Sequence, residues 1–218
     1  MKTTVRQYTD ELFRQFHYYA TWLPGSPVEL GTIGTMKDKE FTKASHLRNE
    51  GILYETDEDT STSDFDYSSK GAVTVRPKLS GEVPVAGSVL SQADAGVTVE
   101  FSRQNAILFR AIGTTTVSIR DQIKLGREIR KRVEEGTWNK RWVVITELIK
   151  AESATILISS SVKGKAELKA KTAVSTGAID IADLQLQLEV VFSKDLSTKI
   201  VAGEGLTPLF KVRRGRMK

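Results

Sequence analysis

Between Ala154 and Lys171 the chain alternates apolar with polar residues over a length that only β-structure accommodates. Ile156, Ile158, Val162, Ala166, Leu168 and Ala170 share one parity, while Thr155, Ser159, Ser161, Lys163, Lys165, Glu167, Lys169 and Lys171 share the other. A period of two sends successive side chains to opposite faces. The stretch therefore predicts a strand, or a hairpin bent near Lys163-Gly164, with one apolar face and one wet face. The apolar face needs cover, which is a core in a soluble domain and hydrocarbon in a membrane barrel; alternation serves both. Just upstream, Trp142-Val143-Val144-Ile145 is a β-branched run suited to a buried core strand.

The 218 residues show no Gly/Ser or Pro linker, so one domain over 1–218 is expected. With no cysteine, the chain has no disulfide, no thiol nucleophile and no cysteine-held zinc. Asp10 and Glu11 interrupt any secretory signal, and no window offers about 18 uncharged apolar residues. A soluble, cytoplasmic form is expected. The net charge of +5 permits an anionic partner, and its placement decides whether that partner is nucleic acid or lipid headgroups.

In chain order, residues 8–20 place Leu12, Phe13, Phe16, Tyr19 and Ala20 at helical spacing behind Thr9 as N-cap. This amphipathic helix either packs on the sheet or lies on a membrane surface. A β-hairpin with a polar turn at Met36-Lys37-Asp38-Lys39-Glu40 follows, with Gly31 and Gly34 marking bulges or close backbone approach. Residues 55–70 hold six carboxylates among Ser and Thr, and predict a solvated acidic loop without calcium-loop register. Residues 72–102 predict a long hairpin. Val73, Val75, Leu79, Val83, Val85 and Val89, then Val97, Val99 and Phe101, form its apolar face, and Pro77 and Pro84 argue for an edge or a bulge. A short buried strand is expected at 106–112.

Ser118 is then expected to cap a helix running to Glu135, with Ile119, Ile123, Gly126, Ile129 and Val133 inward and Arg120, Lys124, Arg127, Arg130, Lys131 and Arg132 outward. Such a face is solvated, or meets anionic lipid, or less readily nucleic acid, since no aromatics are interleaved for base stacking. Another strand is predicted from Ile181, with Leu184, Leu186, Leu188, Val190 and Phe192 on one face. A last strand spans 205–212, and residues 211–218 form a basic, frayed tail. His17 and His46 lack carboxylate or histidine company, and no nucleophile or metal motif is present. The chain is read as no enzyme, with no cofactor and no metal.

This order of elements resembles the pore-forming domain of the gasdermins. In that family an amphipathic helix and a hairpin precede a feeder segment, which Asp64-Phe65-Asp66-Tyr67-Ser68-Ser69-Lys70-Gly71 resembles, and a first long hairpin, which 72–102 resembles. A basic helix (Arg120 to Arg132), a VVTE-type strand (Val143-Val144-Ile145-Thr146-Glu147), a second hairpin (154–192) and a closing strand (Gly205 to Val212) complete the likeness. Only Met36 and Phe41 stand where the family has an aromatic wedge loop.

The resemblance implies an α+β fold, a twisted, mainly antiparallel sheet with long hairpins and a few flanking helices. It implies a cell-death or defence effector that binds anionic membrane lipids, forms a homo-oligomer on the membrane and inserts its hairpins, with an activating protease as a further partner and no nucleic acid. The lipid-binding residues would be Arg120, Lys124, Arg127, Arg130, Lys131 and Arg132 with Phe13 and Phe16. The membrane strands would carry Val73, Val75, Leu79, Val83, Val85, Val97, Val99, Phe101, Ile156, Ile158, Val162, Ala166, Leu168, Leu184, Leu186 and Leu188. Localisation would be cytoplasmic when soluble and membrane-bound when active. The competing readings are a soluble β-rich binding or scaffold domain and a basic nucleic-acid-associated protein.

Overall fold

A computed structural model describes residues 3–171, 188–203 and 205–215. The fold is α+β, mostly antiparallel sheet with two helices among the described residues. The chain divides into two compact packing units, one built from 1–63, 113–151 and 205–218, the other from 64–112 and 152–204.

In the first unit, helix α1 (Thr4–Phe16) is capped by Thr3, whose side chain accepts from the Arg6 amide. It starts earlier and ends sooner than the 8–20 spacing implied. Thr9 lies inside the helix, its hydroxyl donating to the Val5 carbonyl at 3.1 Å, and His17 closes the helix in the left-handed region. Tyr19 and Ala20 instead form strand β1 (Tyr19–Ala20), paired with the last strand.

The expected hairpin is β2 (Thr32–Lys37) against β3 (Glu40–His46). Asp38 and Lys39 both take positive φ, 49° and 67°, which gives a two-residue turn a twist matching the strands. At Gly34 the ladder shifts register, and a Cβ there would collide with the Thr42 carbonyl and the Phe41 ring. Gly34→Ala is therefore expected to cost about 1–3 kcal/mol, checked by thermal melting.

Strand β8 (Val143–Ala151) is the spine of this unit. One edge pairs along its length with β13 (Leu206–Arg214); the other meets β2 at its start and the end of β7 (Ile107–Ile119) further on. Val143, Val144 and Ile145 are fully buried, but Trp142 is only half buried and stacks edge-on against Trp138, which is the buried indole. The core closes over Ile145, Leu148 and Phe210 with Leu125, Ile129 and Val133 of helix α2 (Gln122–Glu134).

Three expectations change here. Ser118 and Ile119 belong to β7, so α2 begins at Gln122 behind Asp121, whose carboxylate accepts from the Lys124 amide at 2.7 Å. The inward stripe is Leu125, Ile129 and Val133, and Ile123 faces solvent at 65 % exposure. The basic end is no frayed tail through Arg214: Arg213 pairs opposite Val144 and lies against Gly126, and Lys211 bonds Glu147 at 2.9 Å.

The acidic stretch is also structured. It forms strand β4 (Thr56–Ser68), exposed along most of its length and paired with β7. Its charges are matched locally, because Glu58 meets Lys150 at 3.0 Å and Asp57 meets Arg120.

In the second unit a four-stranded antiparallel sheet runs β11 (Leu188–Lys194), β10 (Lys165–Ala170), β6 (Gly96–Phe101), β5 (Val73–Lys78). Pro77 sits on the edge strand, where its missing N–H costs no ladder bond on the open side. The first part of β7 pairs with β9 (Ser153–Ser159), and β9 with β12 (Leu196–Gly203). Leu108 and Leu157 from those strands share a core with Val97, Val99, Phe101, Ala166, Leu168 and Leu188.

The 154–171 alternation is thus divided between partners. β9 and β10 do not pair with each other as a bent hairpin; β10 joins β6 and β11. At Gly164 a Cβ would crowd Ser159 and the Asp195 carbonyl, and the Gly164 carbonyl accepts from the Phe101 amide at 2.8 Å. The polar parity is wet only in part: Lys163 and Lys171 are exposed, and Ser161, Lys165 and Lys169 are partly so. Thr155, Ser159 and Glu167 are buried: the Ser159 hydroxyl and Glu167 Oε2 find hydrogen-bond partners within the fold, Lys165 faces Glu167 Oε1 as an ion pair, and short hydroxyls fit a core.

Candidate functional site

The basic residues of α2 and its approach sort into paired and unpaired. Arg120 is held by Glu55 at 2.5 Å and Asp57 at 2.6 Å, and Arg132 by Glu128 at 2.9 Å, so neither is free for an outside anion. Lys131 is 3.8 Å from Glu135, a loose i,i+4 pair. Lys124, Arg127 and Arg130 are exposed and have no ion-pair partner among the described residues. One turn or two apart, Lys124, Arg127 and Lys131 share a helix face, as a 3.6-residue period requires.

That face walls an open cleft of about 970 Å³ in the first unit, its other side formed by Gly51 to Glu55. The carboxylates lining it are already engaged: Glu55 by Arg120, Glu128 by Arg132, Asp121 as the helix cap. Of the cations lining the cleft, Lys124 and Arg127 have no ion-pair partner among the described residues, and Lys131 is held only loosely by Glu135. Leu53 on the opposite wall is 87 % exposed, which the sequence pattern had not marked. Cations beside bare aliphatic side chains, here Leu53 and Ile123, suit a surface that offers both negative charge and hydrocarbon.

Phe13 and Phe16 are not free anchors. The Phe13 ring stacks on Tyr19 at 4.7 Å between centroids, with the Lys39 ammonium 5.4 Å over it, and Phe16 is half buried. The Lys39–Asp10 pair and buried Leu12 hold α1 to its own unit.

The nominated membrane-strand residues fall into four groups. Val97, Val99, Phe101, Ala166, Leu168 and Leu188 are buried on one face of the four-stranded sheet, with Val73 and Val75 packed beside them. Ile156 and Ile158 are fully buried but belong to β9, outside that sheet. Leu79, Val83, Val85 and the exposed Val162 are not in strands: 79–95 is an irregular excursion between β5 and β6, with Val83 at 81 % exposure. Leu184 and Leu186 lie outside the described residues.

The excursion is tied down by residues that the alternation had placed in water. Glu167 on β10 is fully buried and accepts from the Ser88 hydroxyl at 2.9 Å and the Val89 amide at 2.8 Å, while Lys165 pairs with it at 2.6 Å. Burial pushes its carboxyl up, but Lys165, the Val89 amide and the Ser88 hydroxyl outweigh that and hold it below the ordinary value. Lys169 bonds Asp94, whose carboxyl is held far below the usual range by Lys169 and Ser91. The buried Lys78 ammonium donates to the carbonyls of Leu79, Gln92 and Asp94. Among the described residues no helix is long and apolar enough to cross a membrane, which leaves strands untested. No family model and no curated protein matches this chain.

Proposed function

We propose that this chain is a gasdermin-like pore-forming protein that binds acidic membranes, oligomerises on them and inserts β-hairpins. The reading rests mainly on the register of β5 and β6. The observed pairs run from Val73↔Phe101 to Lys78↔Gly96. Continued one pair at a time, the same register sets Leu79 opposite Ala95 and Val85 opposite Val89, and closes on Ala86-Gly87-Ser88, where Gly87 already has φ 78°.

The resulting strands, 73–85 and 89–101, would exceed the roughly 9–11 residues that span a bilayer. One face would carry Val73, Val75, Leu79, Val83, Val85, Val89, Val97, Val99 and Phe101; the other is mainly Thr74, Arg76, Lys78, Ser80, Glu82, Gln92, Asp94, Thr98 and Glu100. An apolar outer face and a polar lumen face are what a barrel strand needs, and ring closure among copies would satisfy the open strand edges. The second extended segment supplies the neighbouring strands β10 and β11 of the same sheet.

Membrane contact is assigned to Lys124, Arg127, Arg130 and Lys131 with Leu53 and Ile123. The test is dye release from liposomes with and without anionic lipid. Release from the anionic set alone is expected; absence of release from both at micromolar protein would return the chain to the scaffold reading. Salt-sensitive binding to nucleic acid without vesicle binding would favour the third reading.

A further inference from the structure

The 79–95 excursion leaves an edge hairpin with three exposed valines, yet its middle is fastened at one point by a side chain on another strand. Ser88 and Val89 are the only residues of the described excursion bonded to Glu167, and they are the last residue of the turn on which an extended β5–β6 register would close and the first after it. The Ser88 hydroxyl also accepts from the Leu90 amide, and Leu90 is buried at 3 % exposure. The carboxylate therefore organises Ser88 to Leu90.

A buried carboxylate opposite two hydrogen-bond donors and an ammonium is stable only while all three stay in place, since an unpaired buried charge is costly. Both the strap and the strand gain from the contact, and both lose it together. Lys165, besides pairing with Glu167, lies 5.8 Å over the Phe192 ring of β11. The latch thus spans β10, its neighbour and the strap.

We propose that Glu167 is a latch: it holds residues 79–95 as a folded strap and so keeps β5 and β6 from lengthening into a long hairpin. Its biological consequence rests on the pore reading, whereas the latch itself is a property of the soluble fold. Anything that draws Ser88 and Val89 away from Glu167, such as contact of Val83 and Val85 with hydrocarbon, releases the segment that the register can zip.

The test is hydrogen exchange on the full chain in solution, followed residue by residue, with dye release measured in parallel. In Glu167→Gln the charge and the Lys165 pair are lost, and the Val89 and Leu90 amides are expected to exchange about tenfold faster while β7 and β9 stay protected. Ser88→Ala, which leaves the carboxylate and Lys165 intact, is expected to shift the same amides in the same direction by less. If Glu167→Gln loses protection throughout, Ser88→Ala decides. Unchanged exchange at Val89 and Leu90 in a variant that keeps β7 and β9 protected overturns the latch. Faster strap exchange in a protein whose wild type never releases dye supports the latch and overturns the pore reading.

Discussion

Replacing Lys124, Arg127, Arg130 and Lys131 with Glu is expected to abolish co-sedimentation with anionic vesicles and leave the circular dichroism spectrum unchanged. Each cation near such a surface contributes about 1 kcal/mol, so losing four removes about 4 kcal/mol, roughly a thousandfold in affinity, before the repulsion from the new carboxylates is counted. The fold should survive because all four side chains are exposed and the buried stripe of α2, Leu125, Ile129 and Val133, is untouched. Arg120 and Arg132 serve as internal controls: their guanidiniums are committed to Glu55, Asp57 and Glu128, so neutralising them should change vesicle binding much less. Equal loss from both sets would show that the four exposed cations have no special part.

The second large effect concerns the core of the first unit. Phe210 is 1 % exposed, central to its hydrophobic cluster, and contacts the rings of Tyr19 and Phe41 at 5.8 and 5.6 Å. Truncation to Ala is expected to cost about 3–5 kcal/mol. For a chain of this size that is a fall in Tm of roughly 6–20 °C. Trp142→Ala, at a half-buried indole, should lower Tm by less. If the two variants melt alike, the placement of Phe210 at the centre and Trp142 at the margin is wrong.

Periodicity carried the sequence reading a long way, and it failed where partners rather than period decide. The 28–41 hairpin and the Val143-Val144-Ile145 strand were legible because local signals, a polar turn and a β-branched run, agree with the tertiary pairing. The 154–171 stretch was legible as β-structure but not as two strands in two sheets. Nothing in a period of two says which neighbour a strand will pair with.

Burial of Thr155, Ser159 and Glu167 escaped the alternation rule for a chemical reason. A polar residue can enter a core when its partners arrive from elsewhere, here Ala106 and Arg103 for Ser159 and the strap for Glu167. The helix boundary at α2 was misplaced because Ser118 and Asp121 are both good caps, and the Thr114-Thr115-Thr116-Val117 run, which favours a strand, prevailed over the first. Composition misled at β4, where acidity suggested a loop although Phe65 and Tyr67 alternate with Asp64 and Asp66. Of the candidate site, the charge on α2 was legible; the pairing that silences Arg120 and Arg132, and the exposure of Leu53, were not, since both depend on segments distant in sequence.

What residues 79–95 do on a membrane separates a pore-former from a scaffold. Hydrogen exchange measured on protein bound to anionic liposomes tests this directly, because few amides of the strap have ladder partners in the described fold. Conversion to paired strand would protect the amides of 79–85 and 89–95 to the level of Val97 and Val99, with Ala86 to Ser88 still exchanging. Liposome-bound protein whose 79–95 amides exchange as they do in solution would contradict it.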